Sequence, residues 1–454
     1  MGLRVQPHLL SMAELCATGP GGPSITPLLP YTGAPLPHIP VICTPEWHML
    51  QQAKNEINCC YQEGKWDDYK KVTNQYEYVF LSWNRRSSRS VATRQPLSRS
   101  YFKLIELWKS LDLTTRLAPL STGTGLVTAH SAEGPGGFIE ACTVMAEKNR
   151  WGFKAATAIT LRSDAKKVPG WRKAAHFLAA YPQITIHDGA DGTGNILLRS
   201  NQDAYVDAVL TANPSGAHLY TADGGFDFSN DYNAQEDAIF PLLVAEALLG
   251  LRTLAKGGCL ILKCFDTTEQ PTLELLWVVS RAFCEWRIVK PRTSRTGNSE
   301  RYLVGLGFLG RDEAADAIAV LSAWTTSGAR LLSEPPGWKT MMTAVASLQE
   351  RIEHNESAVI RDTLALIENT NPVTIRSLVL ANVLRSIAWC KEHGEDVAIC
   401  WQDDLERNLE KETTDLLQIL KSEPYGTSYT TWGNRLSTPL DFSSFRAGSN
   451  SSTS

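Results

Sequence analysis

Between residues 124 and 310 the chain alternates short apolar runs with stretches in which apolar residues recur at helical spacing. The apolar runs predict seven strands, at 127–132, 155–161, 184–187, 218–222, 258–263, 286–290 and 302–308. The helical stretches lie at 138–145, 170–181, 202–210, 234–254 and 272–284. This alternation is typical of an α/β fold, a mostly parallel sheet with helices on both faces. No helix separates the last two strands, so one of them is expected to run antiparallel to the rest.

The flanking regions have different patterns. Residues 1–45 are rich in Pro and Gly and predict a flexible arm, and residues 46–97 predict a helical and basic N-terminal extension. Residues 98–312 hold the α/β pattern and residues 313–425 predict only helices. Residues 426–454, rich in Ser, Asn and Thr, are expected to be a disordered tail. The chain is therefore predicted to be one α/β domain with an appendage on each side.

Composition narrows the class of protein. The chain has 454 residues, a formal net charge of −4 and 10 cysteines without a C-x-x-C pair. This cysteine pattern is typical of a reduced, intracellular protein that binds no metal. The sequence has neither a signal-peptide pattern nor an apolar run of the roughly 18 residues that a membrane span needs, so neither secretion nor a membrane span is expected.

The segment 83–109 carries a local excess of positive charge. Its seven Arg and Lys residues are balanced by one acid, Glu106, and three large aromatic residues stand among them. Cations interleaved with aromatic rings suit a nucleic-acid backbone with bases stacking nearby, and Arg85 and Arg86 are candidate contacts. A solvated basic face is the alternative interpretation.

The turn at 133–137, Glu-Gly-Pro-Gly-Gly, leads from the strand at 127–132 into a helix near Phe138. Glycines let a ligand touch the backbone, and Glu133 at the strand end can hydrogen-bond a hydroxyl or an amine. The turn has neither the G-x-G-x-x-G spacing of dinucleotide folds nor the Lys-Ser/Thr of a phosphate loop. It suits a ligand with a ribose and a cation, although a plain strand-turn-helix joint would have the same local pattern.

Four charged residues fall at strand ends or on the helix that enters the sheet: Lys103, Asp223, Lys263 and Glu300. Asp223 and Lys263 each close a strand, and Glu300 lies just before the last one. If they converge, a partly desolvated lysine beside a second cation has a lowered pKa and can act as a base. Two surface salt bridges would explain the same residues without chemistry.

Six motifs, in this order within residues 98–310, make the chain resemble a known family: SRSYFKLIEL, EGPGGF, DGTGNI, ADGGFDFS, ILKCFD and SRTGNSERY. It resembles the RrmJ/FtsJ-type 2′-O-ribose RNA methyltransferases, and most of all their eukaryotic, kinetoplastid and viral branch that acts on mRNA caps. The resemblance implies a Rossmann-like S-adenosylmethionine-dependent methyltransferase sheet. It also makes Lys103, Asp223, Lys263 and Glu300 a catalytic Lys-Asp-Lys-Glu tetrad.

The resemblance further implies where S-adenosylmethionine binds. The cofactor would lie along Ala132, Glu133, Gly134, Pro135, Gly136, Gly137 and Phe138. Its adenosine would be held near Asp191, Asn195 and Ile196, and its methionine end near Ser98. Because the family usually has an acid at the position of Asn195, that contact is expected to be weaker. The implied chemistry requires no metal.

RNA contacts carry over to the residues after the ADGGF motif and around the NSE motif: Asn233, Ala234, Gln235, Arg295 and Asn298. In the implied mechanism Lys263 takes the proton from a ribose 2′-hydroxyl as that oxygen attacks the methyl group. Lys103 and Asp223 lower the pKa of Lys263 and orient it. Glu300 holds the lysine pair and the ribose, and positioning supplies most of the rate.

The remaining His and Trp residues have simpler interpretations. His187 and His218 are expected to be strand-end residues with local hydrogen bonds, and Trp277, Trp286 and Trp389 are expected in the core. The candidates to clamp a methylated guanine are Trp66, Tyr76 and Trp83.

The sequence therefore predicts a methyltransferase for the first transcribed nucleotides beside a 7-methylguanosine cap. Capped mRNA or capped small RNA is the expected substrate, with other capping or transcription factors as candidate partners. An enzyme for rRNA or internal RNA is one alternative, which the pairing of ADGGF with NSERY disfavours. A non-catalytic RNA-binding subunit is another, which the complete tetrad disfavours. A cellular cap enzyme would be nuclear, and a viral one could be cytoplasmic.

Overall fold

A computed structural model describes residues 16–20, 41–62, 65–81, 90–163, 170–225, 235–324 and 335–421. Eight strands pair within these residues: β1 (Cys16–Pro20), β2 (Leu126–Ser131), β3 (Phe153–Ile159), β4 (Ile184–His187), β5 (Ala217–Ala222), β6 (Leu254–Cys264), β7 (Phe283–Val289) and β8 (Arg301–Phe308). Their order in the sheet is β1-β7-β8-β6-β5-β2-β3-β4. The five strands from β4 to β6 along this order are parallel to one another.

β8 runs antiparallel to both of its neighbours, β6 and β7. It is the reversed strand that was expected, because no crossover helix separates it from β7 and a parallel connection would need one. The seven predicted strands are all present in the sheet. The prediction of a mostly parallel α/β fold is confirmed.

β1 was not predicted from the sequence. Its residues, CATGP, lie in the Pro- and Gly-rich arm and show no alternating pattern. β1 pairs antiparallel with the edge strand β7, with Cys16 opposite Val289 and Pro20 opposite Glu285. Pairing at a sheet edge uses backbone groups, so side-chain patterning gives little sign of it. The other residues of the arm up to residue 40 lie outside the described ranges.

The helices of the described residues are α1 (Pro45–Gln62), α2 (Trp66–Thr73), α3 (Ser100–Ser110), α4 (Leu113–Ser121), α5 (Gly137–Lys148), α6 (Ala175–Ala180), α7 (Arg199–Ala212), α8 (Gln235–Thr253), α9 (Gln270–Ser280), α10 (Ala315–Trp324), α11 (Trp338–Glu368), α12 (Pro372–His393), α13 (Ile399–Asp403) and α14 (Leu405–Lys421). The predicted helical stretch of residues 46–80 is therefore two helices, α1 and α2, followed by a short 3₁₀ turn at Glu77–Val79. In the described residues after 313 the elements are helices, as the periodicity predicted, and the tail at 426–454 lies outside the described residues.

The sheet is covered on both faces, and each face has its own apolar core. One core joins the inner faces of α7, α8 and α9 to the first half of α11. The other joins α3, α4 and α5 to α12 and α14. Every residue of β2 and β5 is buried as a result. This explains why these strands read as continuous apolar runs instead of alternating ones.

The C-terminal helices share these cores with the sheet. α11 packs along α1 and α2, and α12 packs against α2 and α3. α12 is also the one helix of the described residues with the length and apolar character of a membrane span. Its apolar side chains Ile375, Val379, Val383 and Trp389 are buried in the second core. Its apolar character is therefore explained by packing.

Candidate functional site

The predicted tetrad meets at one edge of the sheet. Asp223 follows β5 and Lys263 is the penultimate residue of β6, so both lie at the carboxyl ends of parallel strands. Glu300 precedes β8, and because β8 is reversed its first residue lies at that same edge, with Lys263 opposite Tyr302. Lys103 lies in the first turn of α3, and its side chain reaches Glu300 at this edge. Ligands of α/β sheets bind at this edge.

The four side chains form two ion pairs that one hydroxyl links. Lys103 Nζ lies 2.7 Å from Glu300 Oε1, and Lys263 Nζ lies 3.4 Å from Asp223 Oδ1. Lys263 also donates to the backbone carbonyl of Asp223 at 2.8 Å. The hydroxyl of Tyr302 lies 2.9 Å from Asp223 Oδ1 and 3.2 Å from Glu300 Oε1. The four charged side chains are only 10–15% exposed, so the alternative of two surface salt bridges is wrong.

The direction of the pKa shift of Lys263 differs from the one that the sequence predicts. Burial by itself would lower the pKa of Lys263, but the carboxylates of Asp223, Glu300 and Glu246 outweigh burial and raise it. The prediction that neighbours lower the pKa of Lys263 is therefore wrong for the free protein. Burial would likewise raise the pKa of Glu300, but Lys103 and Lys263 outweigh burial and hold it at about 2. These shifts favour the charged forms of Lys263 and Glu300.

Lys290 supports the segment that carries Glu300, and sequence reasoning missed it. Its Nζ donates to the carbonyls of Asn298 and Glu300 at 2.6 and 2.9 Å, and to Asn298 Oδ1 at 3.0 Å. Burial lowers the pKa of Lys290 to about 8. A lysine that closes an apolar strand, as Lys290 does after β7, is the sequence signal that could have revealed it.

The glycine turn is packed against the start of α3. Gly136 has a left-handed backbone with φ of 106°, which favours glycine. A Cβ on Gly137 would lie 2.3 Å from the hydroxyl oxygens of both Ser98 and Ser100. Phe138 is buried with its ring centroid 5.9 Å from that of Tyr302. The predicted residues Ser98, Gly137 and Phe138 are therefore together, and they connect the turn to the tetrad.

The carboxylate of Glu133 is buried and has hydrogen-bond partners within the sheet. Its carboxylate accepts a hydrogen bond from Thr221 Oγ1 and lies 3.1 Å from His130 Nδ1, both in the interior of the sheet. His130 also contacts Thr128 Oγ1 at 2.7 Å. Burial raises the pKa of Glu133. Glu133 therefore links β2 to β5, and the prediction that its carboxylate hydrogen-bonds a ligand stays a prediction.

The loop at 188–198, which holds Asp191, Asn195 and Ile196, is shaped by two buried amides on α7. Asn201 Nδ2 donates to Asp191 Oδ1 at 2.9 Å and to the carbonyl of Asn195 at 3.0 Å. Gln202 Nε2 donates to the carbonyl of Ile196 at 2.8 Å. Hydrogen bonds, first of all from Thr193, lower the pKa of Asp191. Sequence reasoning missed Asn201 and Gln202, although two amides in the first turn of an otherwise core-facing helix were a usable signal.

The predicted RNA contacts are only partly described. Arg85, Arg86, Asn233 and Ala234 lie outside the described residues. Gln235 is buried, and its Oε1 accepts a hydrogen bond of 2.6 Å from Ser299. Asn298 is held by Lys290, and Arg295 donates to Glu77 at 2.9 and 3.1 Å. Binding of RNA by Gln235, Arg295 and Asn298 stays a prediction.

The described part of the basic segment is largely committed to internal contacts. Arg99 pairs with buried Glu77 at 2.9 Å, Lys103 with Glu300, and Lys109 donates to the carbonyl of Glu392. Arg94 is more exposed and lies 3.7 Å from Glu395. Arg99 and Lys103 are therefore held in ion pairs, whereas Arg94 and Lys109 are exposed, so RNA binding by this segment stays a prediction. The positive charge of Arg99 is balanced by the buried carboxylate of Glu77.

Several other predicted side chains are now placed. Trp277, Trp286 and Trp389 are core residues, as predicted. His187 Nδ1 accepts a hydrogen bond from the amide of Gly189, and His218 Nδ1 lies 3.0 Å from Ser121 Oγ, so both have local partners as expected.

The three candidates to clamp a methylated guanine differ in their placement. Trp66 is buried between α1 and α11, which removes it as a clamp. Tyr76 lies under the Arg292 guanidinium, and Trp83 is outside the described residues. The described ranges contain no group of three or more His, Cys, Asp or Glu side chains that could hold a metal ion.

The glycine turn after β2 and the buried Lys-Asp-Lys-Glu cluster at the strand ends belong to one continuous α/β segment of the chain. Residues 96–308 match the FtsJ-like methyltransferase family. This segment of the chain is therefore similar to FtsJ-like methyltransferases, the family that the six motifs resemble.

The domain is similar to named proteins of several sources. The "Cap-specific mRNA (nucleoside-2′-O-)-methyltransferase 1" of Leishmania braziliensis is 34% identical over 223 residues, 47% of this chain and 53% of that protein. The protein of the same name from Trypanosoma cruzi is 34% identical over 221 residues, 47% of this chain and 57% of that protein. A "Probable methyltransferase" of African swine fever virus is 49% identical over 88 residues, 19% of this chain and 21% of that protein. The chain spans about half the length of the first two relatives.

Proposed function

We propose that this protein is an S-adenosylmethionine-dependent mRNA cap 2′-O-ribose methyltransferase that acts on the first transcribed nucleotides. The observation that carries the proposal is the buried tetrad, with Lys103–Glu300 and Lys263–Asp223 pairs linked by Tyr302. The names of the kinetoplastid relatives support the cap as the substrate.

The residues around the glycine turn fit S-adenosylmethionine. Gly134, Gly136 and Gly137 carry no side chain in the turn after β2. A Cβ on Gly225 would lie 3.1 Å from Lys263 Nζ, so the pair Gly224 and Gly225 lies close to the tetrad. Asp191 follows β4, two strands along the sheet from β2, and hydrogen bonds lower the pKa of its carboxylate, which suits a ribose or an amino group. We assign Ser98, Gly134 to Phe138 and the loop at 188–198 to the cofactor. When bound, S-adenosylmethionine supplies an electrophilic methyl group on a sulfonium cation.

Lys263 is the base in this proposal. In the free protein it is a cation that donates to Asp223, so it must lose a proton before it can accept one from the ribose 2′-hydroxyl. A cation bound at the same strand ends opposes the carboxylates that raise the pKa of Lys263 and therefore favours its neutral form. Asp223 holds the amine in place, and Lys103 fixes Glu300 on the opposite side. Fixed geometry of this kind supplies rate by positioning.

A Lys-Asp-Lys-Glu tetrad would also serve an enzyme for internal RNA, so the substrate requires its own test. We would measure methyl transfer from labelled S-adenosylmethionine to two RNAs of one sequence, one with a 7-methylguanosine cap and one with a 5′-triphosphate. The Lys263→Ala variant is the control. Label confined to a ribose among the first nucleotides of the capped RNA, and lost in the variant, is the expected result.

The other outcomes separate the alternatives. Equal label on both RNAs would assign the enzyme to internal RNA or rRNA. Binding of RNA without label on either would indicate a non-catalytic subunit. Nuclear localisation, and association with other capping factors, follow from the proposed function and would be tested by fractionation and pull-down.

A further inference from the structure

Gln349 lies on α11, outside the segment that matches the methyltransferase family, yet its amide contacts the catalytic edge of the sheet. The side chain is fully buried. Its Oε1 accepts a hydrogen bond from Thr267 at 3.1 Å and another from the guanidinium of Arg301. Its Nε2 donates to Glu353 Oε1 at 2.9 Å. Both ends of this amide therefore have partners.

The two residues that donate to Gln349 each belong to a strand end that carries a tetrad residue. Arg301 directly follows Glu300, and Thr267 follows Lys263 by four positions. Arg301 is fully buried and also donates to the carbonyl of Ser299 at 2.9 Å and to Asp266 at 3.2 Å. Gln349 is thus one acceptor shared by the segments that hold both halves of the tetrad.

The sheet itself does not fix these segments. The ladder between β6 and β8 ends at the pair Cys264 and Arg301. Glu300 on one side, and residues 265–268 on the other, have no strand partner beyond that pair. Buried polar groups need hydrogen bonds, and a satisfied buried network rigidifies the groups it joins. Beyond the end of the ladder, the Gln349 amide accepts hydrogen bonds from the side chains of Arg301 and Thr267.

We propose that Gln349 is a positioning residue of the tetrad, which fixes Glu300 relative to Lys263 by holding Arg301 and Thr267. The inference rests on the proposed function, because it assigns the tetrad to catalysis. It makes the helical C-terminal region part of the catalytic unit, because Gln349 adds a shared acceptor to the direct contacts that Arg301 makes with Asp266 and Thr267.

The test uses the full chain and four variants. Gln349→Leu removes both acceptor contacts, and Gln349→Asn keeps the amide but shortens the side chain, so it withdraws from Arg301. The double variant Gln349→Glu/Glu353→Gln exchanges the two groups: the new carboxylate accepts from Arg301 and Thr267, and the new amide donates to it. Ile352→Val, one turn away and buried in the apolar core, is a matched control that alters packing without touching the amide.

We would measure kcat for methyl transfer, the Kd of S-adenosylhomocysteine by calorimetry, and Tm. In Gln349→Asn and Gln349→Leu, kcat should fall about tenfold or more, while Kd changes by no more than about twofold, because the loss is in alignment and not in cofactor binding. The exchange variant should recover most of kcat. Ile352→Val should lower Tm and leave kcat unchanged at temperatures where it is folded.

The proposal can be tested even if Gln349→Leu does not fold, because the kcat values of Gln349→Asn and of the exchange variant can still be compared with that of wild type. A kcat in Gln349→Asn equal to that of wild type, or an exchange variant as slow as Gln349→Asn, would overturn the positioning role. If instead the wild type is no faster than Lys263→Ala on every RNA, the proposed function fails, and this is a separate result from failure of the positioning role.

Discussion

Removal of one hydroxyl, in Tyr302→Phe, tests whether the two ion pairs of the tetrad act as a unit. The hydroxyl lies within hydrogen-bond distance of Asp223 and Glu300, and the ring packs near Phe138. Phenylalanine keeps the ring and its packing. Burial, with the two carboxylates, raises the pKa of Tyr302 well above its usual value, so the hydroxyl stays a neutral donor throughout the working pH range.

The size of the effect follows from the number of bonds lost. One phenolic proton serves one carboxylate at a time, so Tyr302→Phe removes one hydrogen bond to a charged group, worth about 1.5–3 kcal/mol. If that bond is fully expressed in the transition state, kcat falls roughly 10- to 150-fold, since 1.36 kcal/mol corresponds to a factor of ten.

The assay is single-turnover methyl transfer at saturating cofactor and RNA, with Tm measured in parallel. Tyr78→Phe is the matched control, because it removes a hydroxyl that donates to the Glu412 carboxylate at 3.1 Å in a buried site on the C-terminal helices. That variant should lose stability and keep kcat. If kcat of Tyr302→Phe stays within about twofold of wild type, the hydroxyl does not couple the pairs and the reasoning is refuted.

Three further predictions concern pH, a buried lysine and the glycine turn. Arg99 and Arg295, against the opposing effect of burial, hold the pKa of Glu77 at about 2 instead of 4.5. Glu77 therefore adds roughly 3 kcal/mol of stability at pH 7 that is lost as pH falls from about 4.5 towards 2. Denaturant unfolding should show Glu77→Gln less stable at pH 7 and the gap narrower at pH 3; a constant gap would contradict the assignment. Because burial lowers the pKa of Lys290 to about 8, the unfolded chain binds more protons between about pH 8 and 10.5. Wild-type stability should rise with pH across that window, the rise should be absent in Lys290→Met, and equal slopes would argue against a buried Lys290. Gly137→Ala should weaken S-adenosylhomocysteine binding in calorimetry, because its Cβ would meet Ser98 and Ser100 oxygens at 2.3 Å. Gly297→Ala, whose Cβ would meet only Val359 at 3.3 Å, should bind normally, and equal affinities would separate the turn from the cofactor.

The sequence by itself determined the positions along the chain of seven of the eight described strands, and it singled out the four residues of the tetrad. Strands that are buried on both faces are continuous apolar runs in the sequence. Charged residues at the ends of such strands lie at the edge of the sheet, where ligands bind. The reversal of β8 was also readable, from the missing helix before it. These signals are local: each depends on residues close together in the chain.

Only the tertiary structure determined which charged and polar groups are neighbours, and therefore in which direction each pKa shifts. Whether Lys263 has a raised or a lowered pKa depends on how many carboxylates face it, and Glu246 comes from α8, far from it in the chain. The inward turn of Glu133 depends on His130 and Thr221 meeting across β2 and β5. Arg301 meets Gln349 only because α11 packs against the sheet. The periodicity of apolar residues predicts which face of a helix or strand is buried. It does not predict which polar side chains contact that face, because such contacts join segments that are distant in the sequence.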